Sequence, residues 1–371
     1  MVTIDTKAVE ALLARAQREV DTGLLPSVQI ALAHNGELVA YETFGAADPH
    51  TRYVVFSCTK AFVAGAMWAL IGDGLVDVSL PVTHYIPEFG ANGKDAITVE
   101  QVMLHTSGFP HAPMPIPMGA TSEGRVARFA QWRLNWEPGT SFEYHATSAH
   151  WVLAEIIERV TKQDFRTVVE TRVTTPAGLP RVLAIPLDAQ QNIAELITVG
   201  EPATKEEIRS AFGVDELPVT EVTPAALLGF NDPTSRTVGV PGGGGCMRAC
   251  DLALYYQALL HNPGDMWDPN VLANVTGVVR NTTPDRLTGI PANRSLGLVL
   301  AGSDGNSHLR GMGRTVSAGT FGHNGAAGQI AWADPATGLS LGYCTNGVDL
   351  NIVREPRRGS AISSLAAVCA K

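Results

Sequence analysis

The chain has 371 residues, of which 45% are hydrophobic and 17% charged, so it predicts a folded protein with one large or two interleaved domains. Its formal net charge of −9 argues against a nucleic-acid or anionic-membrane surface. No stretch approaches the roughly 20 apolar residues of a membrane span, and the charged N-terminus predicts an amphipathic helix instead of a signal peptide. Five cysteines in no paired framework favour a reducing compartment, so we expect a cytoplasmic protein with free thiols.

Two predicted hairpins lie near opposite ends of the chain. In the first, "SVQIALAHNGELVAYETFG", two β-prone runs are joined by Asn35-Gly36, a pair typical of a type I′ turn. The second turns at "DPATG", and a helical pattern flanks each hairpin. The predicted elements are helices at about 5–21 and 355–370 and hairpins at 27–45 and 328–346. This arrangement predicts one antiparallel sheet built from both termini, with the terminal helices packed on it.

The middle of the chain is predicted to be mostly helix and loop. Thr98 and Gln101 form a capping-box pattern at the start of a short helix. Residues 148–163 place apolar side chains on one helical face, and residues 249–262 repeat the pattern. Proline and threonine clusters at about 180–240 predict a variable excursion.

These elements predict an α+β fold, an antiparallel sheet flanked by the N- and C-terminal helices plus an all-helical domain. A discontinuous α/β sheet domain would comprise residues 1–90 and 290–371. A mainly helical domain would span residues 91–289 and carry the excursion at about 180–240.

The stretch "YVVFSCTKAFVAGAMWALIGDG", residues 53–74, places Ser57 three residues before Lys60. With 17 serines and six lysines in the chain, chance alone would produce this spacing about 0.3 times, so the surroundings must decide. Ser57 lies where a strand gives way to an apolar helix, whose N-terminal N–H groups would stabilise an oxyanion. Lys60 is one turn further on, and desolvation would make its amine a base for the serine hydroxyl. The alternative is that Ser57 caps the helix and Lys60 is a solvated first-turn residue.

Five blocks follow one another in an order that resembles the serine beta-lactamase-like hydrolases. The blocks are "FSCTKAF" at 56–62, "VMLHTSGFP" at 102–110, "PGTSFEYHATSAHWVLAEIIERVT" at 138–161, "VPGGGGCMRACDLALYYQALL" at 240–260 and "FGHNGAAGQIAWADPATGLSLGYCTN" at 321–346. This family includes class C beta-lactamases, D-aminopeptidases, DD-peptidases and esterases of the same fold. The resemblance covers nearly the whole chain except about 180–240, and it implies the beta-lactamase and DD-peptidase type of α+β fold.

The resemblance also implies roles for individual residues. Ser57 would be the nucleophile and Lys60 its activating partner, and Tyr144 of the second motif would share general acid and base duty with Lys60. Without that context, Tyr144 in "FEY" would be interpreted as a core tyrosine. The backbone N–H groups of Ser57 and of Ala326, on the strand following His323-Asn324-Gly325, would form the oxyanion hole, so His323 and Gly325 belong to the predicted substrate site.

The chain departs from the family pattern at two motifs. Lactamases and peptidases carry Tyr-x-Asn, but here the second motif is Tyr144-His145-Ala146, which lacks the amide that would hold a substrate's acylamide group. The third motif is His323-Asn324-Gly325 in place of Lys-Thr-Gly, and histidine is mostly neutral above pH ~6.5. Both changes remove recognition of an anionic amide substrate and favour ester cleavage. His145 either contacts substrate or caps the following helix.

The remaining histidines, cysteines and glycines are predicted to have structural roles and no catalytic or metal-binding role. His105 in "LHTSG" is predicted to fix a loop, and the glycines at 242–245 are predicted to form a turn before a helix. The histidines lack the His-x-x-x-His spacing, and the sequence has no Cys-x-x-Cys pair, so no metal site is predicted.

The sequence therefore predicts a cytoplasmic serine hydrolase, most readily a carboxylesterase, that acts through an acyl-enzyme on a small-molecule ester. It would need no cofactor and would bind neither nucleic acid nor membrane; its oligomeric state is not predicted. The segments 110–125 and 180–240 would set substrate preference. The alternatives are an amide-cleaving D-aminopeptidase or weak beta-lactamase, an acyltransferase of the same fold, and a binding or sensor domain without catalysis.

Overall fold

The described residues, 2–216, 221–286 and 288–371 of a computed structural model, form an antiparallel sheet covered by helices on both faces. The strands are β1 (Ser27–His34), β2 (Glu37–Gly45), β3 (Tyr53–Val54), β4 (Ile197–Val199), β5 (Cys246–Met247), β6 (Val299–Leu300), β7 (Phe321–Gly322), β8 (Ile330–Asp334), β9 (Leu339–Thr345) and β10 (Gly347–Asp349). The α-helices are α1 (Thr6–Asp21), α2 (Thr59–Gly72), α3 (Val82–Tyr85), α4 (Val99–Met103), α5 (Ile116–Gly119), α6 (Ser122–Phe129), α7 (Ser148–Thr161), α8 (Phe165–Val169), α9 (Lys205–Phe212), α10 (Pro224–Leu228), α11 (Pro233–Val238), α12 (Ala249–His261), α13 (Pro269–Gly277) and α14 (Arg354–Ala367).

The main sheet has the strand order β2-β1-β9-β8-β7-β6, with every neighbour antiparallel. Strands from the two ends of the chain meet at the β1–β9 pair, as predicted. The first hairpin closes through Asn35 and Gly36, whose φ angles of 52° and 82° are those that a type I′ turn requires. The α+β fold with an antiparallel sheet is therefore confirmed.

The two faces of the sheet belong to two hydrophobic cores, because successive side chains of a strand point in opposite directions. In β1, Val28, Ile30 and Leu32 pack into the core beneath the terminal helices α1 and α14. Ala31 and Ala33 face the larger core, which contains α2, α7 and α12. Small residues on this second face allow α12 to lie close to the sheet. A Cβ atom added to Gly342 of β9 would lie 2.0 Å from the carbonyl oxygen of Ala249 in α12.

The middle of the chain is mainly helical, and the helices predicted at 148–163 and 249–262 appear as α7 and α12. The capping box of Thr98 and Gln101 is present at the start of α4. None of the helices in the described part of the chain combines the length and apolarity needed to cross a bilayer.

Strand β4, from the excursion predicted at about 180–240, pairs in parallel with β10 near the C-terminus. The excursion is therefore tied to the sheet region, except for residues 217–220, which lie outside the described residues. The boundaries of the two domains, 1–90 with 290–371 and 91–289, stay a prediction.

Replacing Gly342 by alanine should destabilise the fold, because the added methyl group would meet the backbone of α12. We expect the free energy of unfolding to fall by about 1–3 kcal/mol, measured as a lower midpoint of urea or thermal unfolding. Gly277→Ala is the control, since nothing lies within 4 Å of its added Cβ at the end of α13. That variant should be neutral or slightly stabilising. Equal stability of the two variants would contradict direct packing of α12 on β9.

Candidate active site

Ser57 lies in a tight turn at the start of a buried helix. Strand β3 leads into a 3-10 turn, Phe56–Cys58, and this turn leads directly into α2. Phe56 has a φ of 44°, a left-handed conformation that is rare for residues other than glycine, and its ring packs edge-on against Phe230 at 5.6 Å. Strained backbone of this kind persists only where packing enforces it, and it often accompanies functional sites. The turn presents the Ser57 side chain to a cavity.

Lys60 is fully buried, and its amine contacts three oxygen atoms. Nζ lies 3.1 Å from Oγ of Ser57 and 2.6 Å from each of the carbonyl oxygens of Ala146 and Gly242. Burial, followed by the positive charge of Arg294, lowers the pKa of Lys60 to about 7. A neutral amine can donate its two hydrogens to the two carbonyls and direct its lone pair at the Ser57 hydroxyl. The solvated lysine of the alternative interpretation is therefore wrong.

Tyr144, on the loop between α6 and α7, approaches the same serine oxygen. Its hydroxyl donates to Oγ of Ser57 over 2.8 Å. Burial raises the pKa of Tyr144 to about 12, although Arg294 and the Ser57 hydrogen bond oppose the shift. At neutral pH the phenol is thus a proton donor. Oγ of Ser57 can accept from Tyr144 and donate to Lys60 at the same time.

His323 of the third motif is buried and neutral. Nη1 of Arg294 donates to its Nε2 over 3.3 Å, so the ring proton sits on Nδ1 and is donated to the Asn324 carbonyl at 2.9 Å. Burial, reinforced by Arg294 and Lys60, holds the pKa of His323 well below its usual value. The expectation that His323 supplies little positive charge fits this geometry. The third motif itself therefore supplies no permanent cation, but Arg294, from outside the motif, lines the same cavity.

Gly325 and Ala326 lie beside the Ser57 turn. A Cβ atom on Gly325 would lie 2.1 Å from the carbonyl oxygen of Val55, so only glycine allows this approach. Ala326 lines the cavity together with Ser57, but it begins a 3-10 turn, Ala326–Gly328, and does not lie on a strand as predicted. This turn lies between Gly325 and the start of β8 at Ile330, and its first residue, Ala326, is the one that reaches the cavity.

His145 is not among the described residues that line the cavity, unlike Ser57, Tyr144, His323 and Ala326. It is buried, and its Nε2 accepts from the Phe109 N–H at 3.2 Å and lies 3.1 Å from Oγ of Ser107. Because Nε2 accepts, Nδ1 carries the proton and donates to the Glu143 carbonyl at 2.7 Å. Burial lowers the pKa of His145 to about 3, so it stays neutral. In place of the predicted contact with substrate, His145 holds neighbouring backbone segments together through Phe109 and Glu143.

His145 also does not cap the following helix, the other role considered for it. The residue at the N-cap of α7 is Thr147. The backbone N–H of His145 donates to Nδ1 of His105 at 3.1 Å, which agrees with the loop-fixing role predicted for His105. The two histidines together bind the loop at 105–109 to the backbone next to Tyr144.

The cavity at Ser57 has a volume of about 310 Å³ and an apolar wall. The apolar lining comes from Phe56, Val222, Leu227, Phe230, Val299 and Ala326. Three of these residues belong to the excursion at 180–240, whereas no described residue of 110–125 lines the cavity. The excursion therefore forms part of the cleft, in agreement with its predicted role in substrate preference. The cavity lining gives no support for the same role of segment 110–125.

Among the described residues, no group of three His, Cys, Asp or Glu side chains is placed to hold a metal ion. All five cysteines are free and buried.

A family model described as Beta-lactamase matches residues 11–362. The chain belongs to the beta-lactamase family. It is 29% identical to "Esterase/beta-lactamase LipL" of Mycobacterium tuberculosis over 79% of this chain and 68% of that protein. It is 26% identical to "Esterase EstB" of Burkholderia gladioli over 91% of this chain and 89% of that protein.

Solved structures of the beta-lactamase fold resemble the whole chain. A family VIII carboxylesterase superposes with a TM-score of 0.79 at 24% identity and covers 100% of both chains. A penicillin-binding protein homologue from Caulobacter crescentus superposes with a TM-score of 0.76 at 24% identity and covers 98% of both chains. These likenesses establish the fold.

Sequence reasoning missed two contributors to the site. Arg294 stands in "PANRSLGL", outside the recognised blocks, and nothing local distinguishes it from a surface arginine. Gly242 was expected only to form a turn, but its carbonyl accepts from Lys60, and a Cβ there would lie 3.4 Å from Nζ. The run of four glycines was the available signal, since such runs allow close backbone approach.

The role of His145 can be tested by His145→Leu. This substitution removes a buried acceptor and donor, leaving the Phe109 N–H and the Glu143 carbonyl unpaired. We expect a loss of about 1–3 kcal/mol of unfolding free energy in urea denaturation. His111→Gln is the control, because the His111 side chain is exposed and its ion pair with Glu143 lies at the surface. A His145→Leu protein of wild-type stability with an altered KM would instead support contact with the substrate.

Proposed function

We propose that this member of the beta-lactamase family is a serine hydrolase that cleaves small carboxylic esters through an acyl-enzyme at Ser57. The observation that carries this proposal is the convergence of Lys60 and Tyr144 on one serine oxygen, at 3.1 and 2.8 Å, at the edge of an apolar cavity. Both contacts lie at the distances that general acid and base catalysis requires. The esterase names of LipL and EstB support the ester as the substrate class.

In the proposed acylation step, Oγ of Ser57 attacks the ester carbon and its proton passes to Nζ of Lys60. The carbonyl oxygen becomes an oxyanion facing the backbone N–H groups of Ser57 and Ala326. As the ester C–O bond breaks, the alcohol takes a proton from Tyr144, and Lys60 returns its proton to Tyr144. Water then attacks the acyl-enzyme by the reverse sequence of proton transfers and releases the acid.

The preference for esters over lactams and peptides depends mainly on the second motif. Ala146 offers no side-chain amide to orient the acylamide group of a lactam or peptide. The apolar wall made by Phe56, Leu227 and Phe230 suits a hydrocarbon acyl or alcohol group. The sequence predicted that the neutral histidine of the third motif would also remove recognition of an anionic substrate. Arg294 weakens that argument, because it supplies a cation beside His323. Buried free cysteines are compatible with the cytoplasmic location, which stays a prediction.

Removing the nucleophile tests the mechanism directly. Purified wild type and Ser57→Ala should be compared on a short-chain p-nitrophenyl ester and on a chromogenic cephalosporin. We expect ester turnover to fall by at least about a thousandfold in Ser57→Ala, since the variant lacks the hydroxyl that would form the acyl-enzyme. Wild type should hydrolyse the cephalosporin far more slowly than the ester. Comparable ester turnover by the alanine variant would overturn the assignment of Ser57, and faster cephalosporin turnover would favour a beta-lactamase.

The pH dependence of ester cleavage should report the state of Lys60. Because the neutral amine accepts the serine proton, kcat/KM should rise with pH through a midpoint near the Lys60 pKa of about 7. Well below that midpoint it should fall about tenfold for each pH unit, as for any single required deprotonation. The measurement is the initial rate at low ester concentration, with Ser57→Ala as the blank for spontaneous hydrolysis. A rate that does not change between about pH 5 and 8 would exclude Lys60 as the base.

A further inference from the structure

Arg294 is a charged residue at the site that the family motifs do not include. Its guanidinium lies over the ring of Tyr144 at 4.9 Å and near the ring of Phe142 at 5.6 Å. Its Nη1 donates to His323 at 3.3 Å, while its buried Nε has no hydrogen-bond partner among the described residues. Burial lowers the pKa of Arg294 from its usual value, but a guanidinium is so basic that it stays charged in proteins.

The charge of Arg294 is not neutralised by an ion pair with a carboxylate in the described part of the chain. Arg310 of the same cavity provides the contrast, because its guanidinium binds both carboxylate oxygens of Asp304. Asp285 acts on Arg294 through space, and its carboxylate accepts from the backbone N–H of Thr288 at 3.0 Å. The field of Arg294 therefore reaches the buried groups beside it with little screening.

We propose that Arg294 is a positioning residue of the reaction: its permanent charge, held over Tyr144 and against His323, keeps the resting proton off Lys60 and so keeps the Lys60 amine ready to accept the proton of Ser57. This inference rests on the proposed function. It assigns to a residue outside the motifs the cation that His323, being neutral, does not provide.

The electrostatics follow from Coulomb repulsion in a desolvated site. Nζ of Lys60 lies 5.0 Å from the centroid of the same Tyr144 ring that the Arg294 guanidinium approaches at 4.9 Å, so the two groups share one desolvated site. A fixed positive charge there disfavours an ammonium at Lys60, where it adds to the larger effect of burial, and favours negative charge at Tyr144, where it opposes burial. The same charge makes the Lys60 amine a weaker base, so its benefit is confined to pH values at which Lys60 would otherwise be protonated. Removing the charge should therefore harm the reaction at low pH much more than at high pH.

Burial moves the pKa values of five of the six other titratable groups facing Lys60 away from neutrality. The groups are Cys58, His105, Tyr144, His150, Glu221 and His323. Burial holds the pKa values of the three histidines well below their usual value and raises those of Cys58 and Tyr144. Desolvation raises the pKa of the sixth group, Glu221, and its carboxylate favours the Lys60 ammonium, in opposition to Arg294. Lys60 is the group whose protonation we expect the acid limb to follow, because its amine contacts Oγ of Ser57.

The test compares Arg294→Gln with Arg294→Lys. Glutamine can still donate a hydrogen bond to His323 but carries no charge, whereas lysine keeps the charge and loses the planar fork. Arg286→Gln is the matched control, because Arg286 also stacks on an aromatic ring, Trp136 at 5.0 Å, but is exposed and pairs with the carboxylate of Glu143 at 3.5 Å. Each protein is assayed on an uncharged short-chain p-nitrophenyl ester from about pH 5.5 to 10, so that direct pairing with a substrate charge does not contribute.

For Arg294→Gln we expect the midpoint of the acid limb to move to higher pH. The loss in kcat/KM should be about tenfold or more at pH 6 and less than about threefold at pH 9. Arg294→Lys should keep its midpoint close to that of wild type, and Arg286→Gln should match wild type throughout. If glutamine prevents folding, as judged by circular dichroism, Arg294→Met provides the second uncharged variant.

A loss of the same size at every pH in the uncharged variants, or a lysine variant that behaves like them, would overturn this inference. Those results would leave the proposed function intact, because wild type would still show ester turnover that depends on Ser57. Absence of ester turnover by wild type would instead overturn the proposed function.

Discussion

The burial of one basic side chain, Lys60, on an otherwise apolar helix is the constraint on which the site depends. Withdrawing an ammonium from water without a charged partner is strongly unfavourable, so the group tends to lose its proton. The carbonyls of Ala146 and Gly242 satisfy the remaining N–H groups. Because these two residues lie far from Lys60 in the chain, the amine acquires its function only when three separate segments meet.

The helix that carries Lys60 is held in place by hydrogen bonds to its own backbone as well as by packing. Tyr255 donates to the carbonyl of Ala61 at 2.7 Å, and Trp267 donates to that of Gly65 at 2.8 Å. The rings of Phe62 and Tyr255 stack with their centroids 3.9 Å apart. A helix buried on all sides cannot shift without disturbing the larger core, so the start of α2 holds Ser57 and Lys60 in a defined relation.

The comparison with the family pattern shows how the same scaffold can change its electrostatics without moving the nucleophile. Where lactamases carry a lysine in the third motif, this chain has a neutral histidine, and a cation from a different loop contacts that histidine. The positive charge beside Tyr144 thus comes from a residue outside the third motif. Part of the apolar wall comes from Val222, Leu227 and Phe230, in a segment outside the family blocks, so this part of the cleft can vary without a change in the Ser57 turn.

Local pattern was sufficient to predict the terminal helices, the two hairpins and the helices α7 and α12. Asn35-Gly36, the alternating apolar residues of β1 and the periodicity of α7 each express a preference that short-range sterics and burial impose on a few neighbouring residues. The order of five motifs then placed Ser57, Lys60, Tyr144 and the segment 323–326 in one site. These predictions could be made from the sequence because each motif is contained in a short segment of the chain.

Tertiary structure alone decided the remaining features. His145 lies one residue from Tyr144 in sequence, but packing turns its ring into the loop at 105–109. Arg294 has no motif, but the fold stacks it on Tyr144. The sequence by itself determined which groups can perform the chemistry, because reactivity belongs to side-chain type. Only the folded chain decided their charge states and neighbours, because desolvation and Coulomb interactions depend on distances between segments far apart in sequence.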